Sequence, residues 1–237
     1  MNNLFIKKIE IDHDQIPNQN IYPFNIEIIK KLKVLNLEKN VTFLIGENGV
    51  GKSTFIESLA IACGLNAEGG TQNFDFTTRE TEYDLSNYIK IDHFQRKVET
   101  KFFLRAESFY NVASEIERLG LNGYGLNSLH SVSHGEAFIQ LVQNRFTKNG
   151  LYILDEPEAA LSPSRQMTLL CLINELAKEG SQFIIATHSP ILISYRDGDI
   201  LDLNNNFKKI KYEDTDIYKT YKLYLDKPYE MQHHLFD

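Results

Sequence analysis

Between residues 46 and 54 the chain reads Gly46, Glu47, Asn48, Gly49, Val50, Gly51, Lys52, Ser53 and Thr54. This is the G-x-x-x-x-G-K-[ST] pattern, preceded by the apolar run VTFLI and followed by residues with helical apolar spacing. The chemistry it suits is phosphate binding. Glycines let backbone N–H groups turn inward around an anion where a Cβ would obstruct them. A helix starting near Lys52 would aim its free N–H groups and positive dipole end at the same anion. Lys52 supplies a point charge for the outer phosphates, Ser53 a hydroxyl for Mg²⁺, and Thr54 a hydroxyl toward the innermost phosphate. The plainer reading, a merely tight strand-to-helix turn, is outweighed by a full motif with both flanks in place.

A second chemical segment is LYILDEPEAALSP, residues 151–163, which sets Asp155 and Glu156 side by side at the end of an apolar strand. Adjacent carboxylates beside a hydrophobic sheet are costly without a cation, and Mg²⁺ with its waters supplies one. Asp155 would then hold the metal from its outer shell, and Glu156 would polarise an attacking water. A third is FIIATHSP, residues 183–190, with His188 standing 33 residues after Asp155. A lone histidine after a strand is usually structural. In a parallel sheet, however, ligands gather beyond the carboxyl ends of the strands, which makes His188 a candidate donor to a γ-phosphate.

The elements that must position these groups are legible as apolar runs. Strands are expected at 4–11, 33–37, 41–45, 88–94, 100–106, 150–156 and 181–189. LYIL and FIIA are continuous rather than alternating, as strands at the centre of a parallel sheet covered on both faces must be. Helical periodicity runs through 52–63, 135–147 and 164–178, with Phe138, Leu141, Val142 and Phe146, then Leu169, Leu172, Ile173 and Leu176, as core stripes. Strands and helices interleaved in this order predict an α/β fold. The segments 64–84 and 120–131 are polar and glycine-containing and read as loops.

With 237 residues and 42% hydrophobic positions, one domain with an elaboration is expected. A net charge of −7 argues against binding nucleic acid through overall basicity, while a local basic patch would not register in that count. Cys63 and Cys171 sit in helical stripes and are expected as buried free thiols, in keeping with a cytoplasmic location. The start shows no signal-peptide layout and no apolar run nears the roughly 20 residues of a spanning helix. His233 and His234 read as a solvated tail rather than a ligand pair.

Four ordered segments together resemble the ABC-class ATPases, which include transporter nucleotide-binding domains and the SMC- and RecF-like DNA-maintenance ATPases. They are GENGVGKST as Walker A, SHGEA (133–137) as a divergent signature, ILDEPE (153–158) as Walker B with its glutamate, and ATHSP as the histidine switch. Gly135 stands 20 residues before Asp155, a spacing similar to that of the class. FFLRAESFYN (102–111), SHGEAF, DEPEAALSP and GSQFIIATHSPIL, with YPF at 22–24 and the ending HHLFD, resemble small stand-alone bacterial ATPases of the AAA/ABC type. DEPEAALSP is also similar to the overcoming-lysogenization-defect nucleases, but the 47 residues after Pro190 are too few for their nuclease domain.

The resemblance implies a single ABC-type ATPase head over 1–237. Its expected form is a largely parallel central sheet flanked by helices, an antiparallel N-terminal β portion and a helical signature lobe at 95–148. It implies ATP and Mg²⁺ as cofactors and a head-to-tail homodimer in which Ser133 and Gly135 reach the γ-phosphate on the other copy. SHGE also reads as a capping box, Ser133 with Glu136, and the spacing to Asp155 tips the balance to function. His134 and Glu136 replace the usual glycine and glutamine, and Ser162 a frequent aspartate, which counts against a transporter subunit. The metal-watching glutamine is missing after 100–106, where Glu107 or Arg105 is the candidate substitute. Tyr22 is placed either to stack on adenine or to fill the core. Three functions follow: an ATP-driven switch on an effector protein or DNA, in DNA maintenance or phage defence; a transporter's nucleotide-binding subunit; or a non-hydrolysing nucleotide-binding module.

Overall fold

Strands whose every residue is buried, and most of them apolar, form the middle of a six-stranded sheet in the order β5-β6-β7-β3-β8-β9. The strands are β3 Val41–Ile45, β5 Thr100–Arg105, β6 Gly150–Asp155, β7 Gln182–Ala186, β8 Asp199–Asp202 and β9 Lys208–Ile210. All neighbours are parallel except β9, which runs antiparallel to β8. A separate antiparallel sheet has the order β2-β1-β4, from Ile6–Ile11 (β1), Val34–Asn36 (β2) and Ile89–His93 (β4). The computed structural model describes residues 4–66, 84–93, 98–106, 109 and 133–236.

Side-chain alternation splits the interior into two layers. Phe103, Leu151, Ile153 and Ile184 face the antiparallel sheet, helix α1 (Glu27–Lys31) and helix α2 (Lys52–Ala62). Phe102, Leu104, Tyr152, Leu154, Phe183 and Ile185 face helices α3 (His134–Arg145) and α4 (Pro163–Lys178). Two large polar side chains in this interior, Tyr152 and Gln182, are held by hydrogen bonds. The Tyr152 hydroxyl donates to the Thr147 carbonyl at 2.8 Å, and its ring stacks on Phe146 at 4.0 Å between centroids. Gln182, fully buried, joins the two sheets: its carbonyl accepts the N–H groups of Phe5 and Ile6, and its amide donates to the Ile6 carbonyl.

The seven expected strands and three expected helices are all present, and the expected mixed architecture with its antiparallel N-terminal portion is the one observed. Of the stretch 95–148, Thr100–Arg105 is the edge strand beside β6 and His134–Arg145 is helical. Most of the loops expected at 64–84 and 120–131 lie outside the described residues. Sequence periodicity missed β8, β9, α1, α5 (Asp216–Asp226) and α6 (Pro228–Phe236), which carries the exposed His233 and His234. One expectation is overturned: Cys63 is buried, but Cys171 is exposed. Helix α4 buries only the Leu169 and Ile173 face, and Cys171 falls on the turn of the helix pointing away from it. No helix of the described residues is long and apolar enough to cross a membrane.

Candidate functional site

Sheet order brings the chemical segments together. β7 lies between β6 and β3, and Ala186 is in register with both Asp155 and Leu44. The three strands therefore end at one level, with residues 187–189 between Asp155 and the loop that begins at Gly46. Backbone bonds fix this edge: Glu156 N–H donates to the Ala186 carbonyl at 2.9 Å, and Thr187 N–H to the Leu44 carbonyl at 3.2 Å.

The loop has the glycine geometry its sequence requires. Gly51 adopts φ +105°, and a Cβ there would stand 2.7 Å from Ile26 Cγ2, so both conformation and space exclude a side chain. Lys52 is 4% exposed, and its ammonium donates to the carbonyls of Gly46 and Glu47 at 2.9 and 3.0 Å. Burial pulls its pKa below the ordinary lysine value, while Glu156, Asp155 and Glu158 pull it back up. The cation thus sits against the backbone carbonyls of the loop's first two residues, within the field of three carboxylates.

Across from it, Ser53 Oγ donates to Asp155 Oδ1 at 3.3 Å. Asp155 is 3% exposed, and Arg105 Nε lies 3.4 Å from its Oδ2 while the same guanidinium donates to Glu57 Oε2 at 3.2 Å. Arg105, one of the two candidates for the missing glutamine's place, therefore meets the Walker B aspartate. Glu107, the other, lies outside the described residues. Glu156 adopts a left-handed backbone, φ 47° and ψ 50°, and its Oε1 lies 3.8 Å from His188 Nε2. Burial, then the Lys52 charge, lower the His188 pKa against the opposing Glu156 and Glu158, which holds the imidazole neutral near pH 7.

Hydroxyl and carboxylate oxygens at Ser53 and Asp155 are the hard donors Mg²⁺ prefers. Among the described residues no three His, Cys, Asp or Glu side chains converge on a metal. A divalent ion at Ser53 and Asp155 would consequently share its coordination with phosphate oxygens and water.

Ser133 and Gly135 open helix α3 away from these groups in sequence and against the turn after Asp155. The Ser133 side chain makes no capping bond; it accepts from Arg165 at 2.7 Å, and Arg165 also approaches Glu136 at 3.6 Å. The capping box is therefore replaced by a bridge to α4. Gly135 is buried, and a Cβ would stand 2.9 Å from the Ala160 carbonyl, so packing alone demands glycine there. Tyr22 is 67% exposed, which removes the core reading, and its hydroxyl lies 3.2 Å from Thr54 Oγ1 at the rim of the loop.

Two residues escaped the sequence reading. Glu158 accepts hydrogen bonds from Thr187 Oγ1 at 2.7 Å and from His188 N–H at 2.5 Å. A third carboxylate in DEPE was the available signal. Asn204 accepts the Glu47 N–H at 3.2 Å, and nothing in its sequence surroundings marked it.

A family model described as the AAA ATPase domain matches residues 72–193, slightly more than half of the chain. An ABC transporter ATP-binding protein of Methanothermobacter marburgensis is 28% identical over 190 residues, covering 70% of this chain and 66% of its own length. The ribose import ATP-binding protein RbsA of Bacillus cereus is 27% identical over 184 residues, covering 68% of this chain and 37% of its own. The chain thus spans just under two thirds of one relative and little over a third of the other. Among solved structures, the SMC head domain from Thermotoga maritima aligns with a TM-score of 0.46 at 14% identity, covering 84% of this chain and 95% of that one.

Proposed function

The chain belongs to the AAA ATPase domain family and is an ABC-class P-loop ATPase by its ordered motifs, and from that premise we propose that it binds ATP with Mg²⁺ and hydrolyses it. The observation that carries this reading is the shared strand edge, where Ser53 meets Asp155 and Glu156 meets His188 beside the buried Lys52. Lys52 neutralises the outer phosphates, and the loop from Gly46 to Thr54 wraps them. Ser53 and Asp155 would hold Mg²⁺, which supplies charge neutralisation at the developing phosphate oxygens. Glu156 orients and polarises the attacking water, and the neutral His188 donates a hydrogen bond toward the γ-phosphate. Tyr22, exposed at the loop's rim, offers its ring to adenine.

The working unit in this reading is a cytoplasmic homodimer that closes on two ATP molecules and opens after hydrolysis, with Ser133 and Gly135 serving the partner copy's nucleotide. Closing and opening switch an effector protein or DNA. Steady-state phosphate release tests the chemistry: turnover should depend on ATP and Mg²⁺ and vanish in Lys52→Ala and Glu156→Gln. Activity that survives both substitutions would reject it. The names of the two sequence relatives favour a second reading, a transporter's nucleotide-binding subunit. Co-purification with a membrane protein after mild detergent extraction would decide for that one.

A further inference from the structure

Residues 187–189 carry His188 but are gripped from outside their own strand. Thr187, fully buried, donates its hydroxyl to Glu158 Oε2 at 2.7 Å, and His188 N–H donates to Glu158 Oε1 at 2.5 Å. One carboxylate therefore takes two adjacent donors of the switch segment, and charge-assisted bonds of this length are the strong class. Ser189 completes the hold, its hydroxyl donating to Gln166 Oε1 at 2.6 Å while Gln166 Nε2 donates to the Leu161 carbonyl.

Glu158 sits in the short helical turn Pro157–Ala160, which the chain enters through the left-handed Glu156. The turn and the residue that leads into it thus carry the carboxylate that holds the His188 backbone and the carboxylate that faces the His188 ring. The ring itself has no such anchor, since its Nε2 makes no hydrogen bond among the described residues and stands 3.8 Å from Glu156. Its position follows from the backbone beneath it.

We propose that Glu158 is a positioning residue for hydrolysis: through the backbone of His188 and the hydroxyl of Thr187 it keeps the imidazole in register with Glu156, without touching phosphate or metal. The consequence is a mechanical tie between the Walker B turn and the histidine switch. Any shift of residues 156–160 moves Glu156 and His188 together rather than separating them. This rests on the hydrolytic reading of the site.

The test uses the full chain with Glu158→Ala, Glu158→Gln and Thr187→Val, measuring kcat and KM for ATP and direct binding of a fluorescent N-methylanthraniloyl-ATP. Displacing a catalytic group by an ångström or so costs about 10²-fold, so Glu158→Ala should lose about that much in kcat. Its KM and nucleotide affinity should stay within about twofold of wild type, because the loop and the hydrogen bonds of Lys52 are untouched and Glu158 is the weakest of the three carboxylates acting on its charge. Glu158→Gln keeps an acceptor for His188 N–H and should recover most of the rate. Thr187→Val removes one of the two bonds and should fall between, which keeps the proposal testable if Glu158→Ala does not fold. Unchanged kcat in Glu158→Ala and Thr187→Val would overturn it. So would a Glu158→Gln as inactive as Glu158→Ala, which would assign the effect to charge, or a rate loss matched by lost nucleotide binding. Wild type that binds and turns over ATP while Glu158→Ala matches it ends this proposal alone; wild type without Lys52-dependent turnover ends the hydrolytic reading as well.

Discussion

Glu156 occupies a backbone region that side chains with a Cβ avoid, at φ 47° and ψ 50°. Such a residue costs about 1–2 kcal/mol, and the surroundings must enforce it. Here the enforcing contacts are the Glu156 N–H bond to Ala186 and the bonds of Glu158 to residues 187 and 188. In this conformation the Glu156 carboxylate stands 3.8 Å from His188 Nε2. Both Glu156→Gly and Glu156→Ala remove the carboxylate, but only glycine accepts the left-handed conformation. Glu156→Gly should therefore be the more stable of the two by about 1 kcal/mol in urea denaturation, with neither turning over ATP. Equal stabilities would mean that the turn relaxes freely. His188 contributes at the same scale through its proton. Burial and Lys52 lower its folded pKa, so the unfolded chain takes up the proton first as pH falls below the ordinary histidine value of about 6.5. Stability is then fully present above that value and declines beneath it. Between about pH 7.5 and about pH 5.5, wild type should lose more melting temperature than His188→Gln, which has no proton to gain. A larger loss in His188→Gln would reverse the assignment of the neutral imidazole.

Between elements, one buried amide ties the antiparallel sheet to the central one. Gln182 is a buried polar residue at the first position of a central strand, and its amide closes three bonds to Phe5 and Ile6. Replacing it by leucine leaves backbone groups of β1 without those partners in an apolar layer. Gln182→Leu should cost about 2–3 kcal/mol in urea denaturation, and a change below about 0.5 kcal/mol would show that the antiparallel sheet docks by apolar contact alone. This residue also shows where sequence legibility ends. Apolar runs named β3, β6 and β7, because a strand covered on both faces must be continuously apolar. The motifs at their ends named Lys52, Asp155, Glu156 and His188, because phosphate chemistry constrains residue type and spacing. Gln182, Glu158 and Asn204 act across 176, 30 and 157 positions of sequence, and no local pattern encodes such partners. β8 was missed for a related reason: its four buried residues begin and end in aspartate, and Asp199 is paired with Lys39 and Lys209 from elsewhere in the chain. Cys171 failed in the opposite direction, since apolar residues wrap further around α4 than the sheet covers.

At the scale of the molecule, the proposed site needs the phosphate loop of one copy and the segment 133–135 of another on a single nucleotide. Ser133, His134 and Glu136 are exposed at the start of α3, while the buried Gly135 is accounted for by packing against Ala160. The exposed Ser133 hydroxyl and the Arg165 guanidinium beside it are thus the groups available to a second copy. Head-to-tail pairing of two loops with two signatures is closed and two-fold symmetric, so it stops at a dimer. ATP drives it only insofar as it binds the closed form more tightly than the open one; moving the population from 1:99 to 99:1 takes about 10⁴-fold in affinity. In the proposed cycle hydrolysis would dissipate that difference, so Glu156→Gln should bind ATP, fail to cleave it and accumulate as a dimer. Size-exclusion chromatography with light scattering should find this variant monomeric without nucleotide and dimeric with ATP and Mg²⁺. Adding Ser133→Arg, which places a bulky cation at the exposed start of α3, should return it to monomer while N-methylanthraniloyl-ATP binding persists. A Glu156→Gln protein that binds ATP yet stays monomeric would sink the paired site, leaving Ser133 and Arg165 as a bridge internal to one chain.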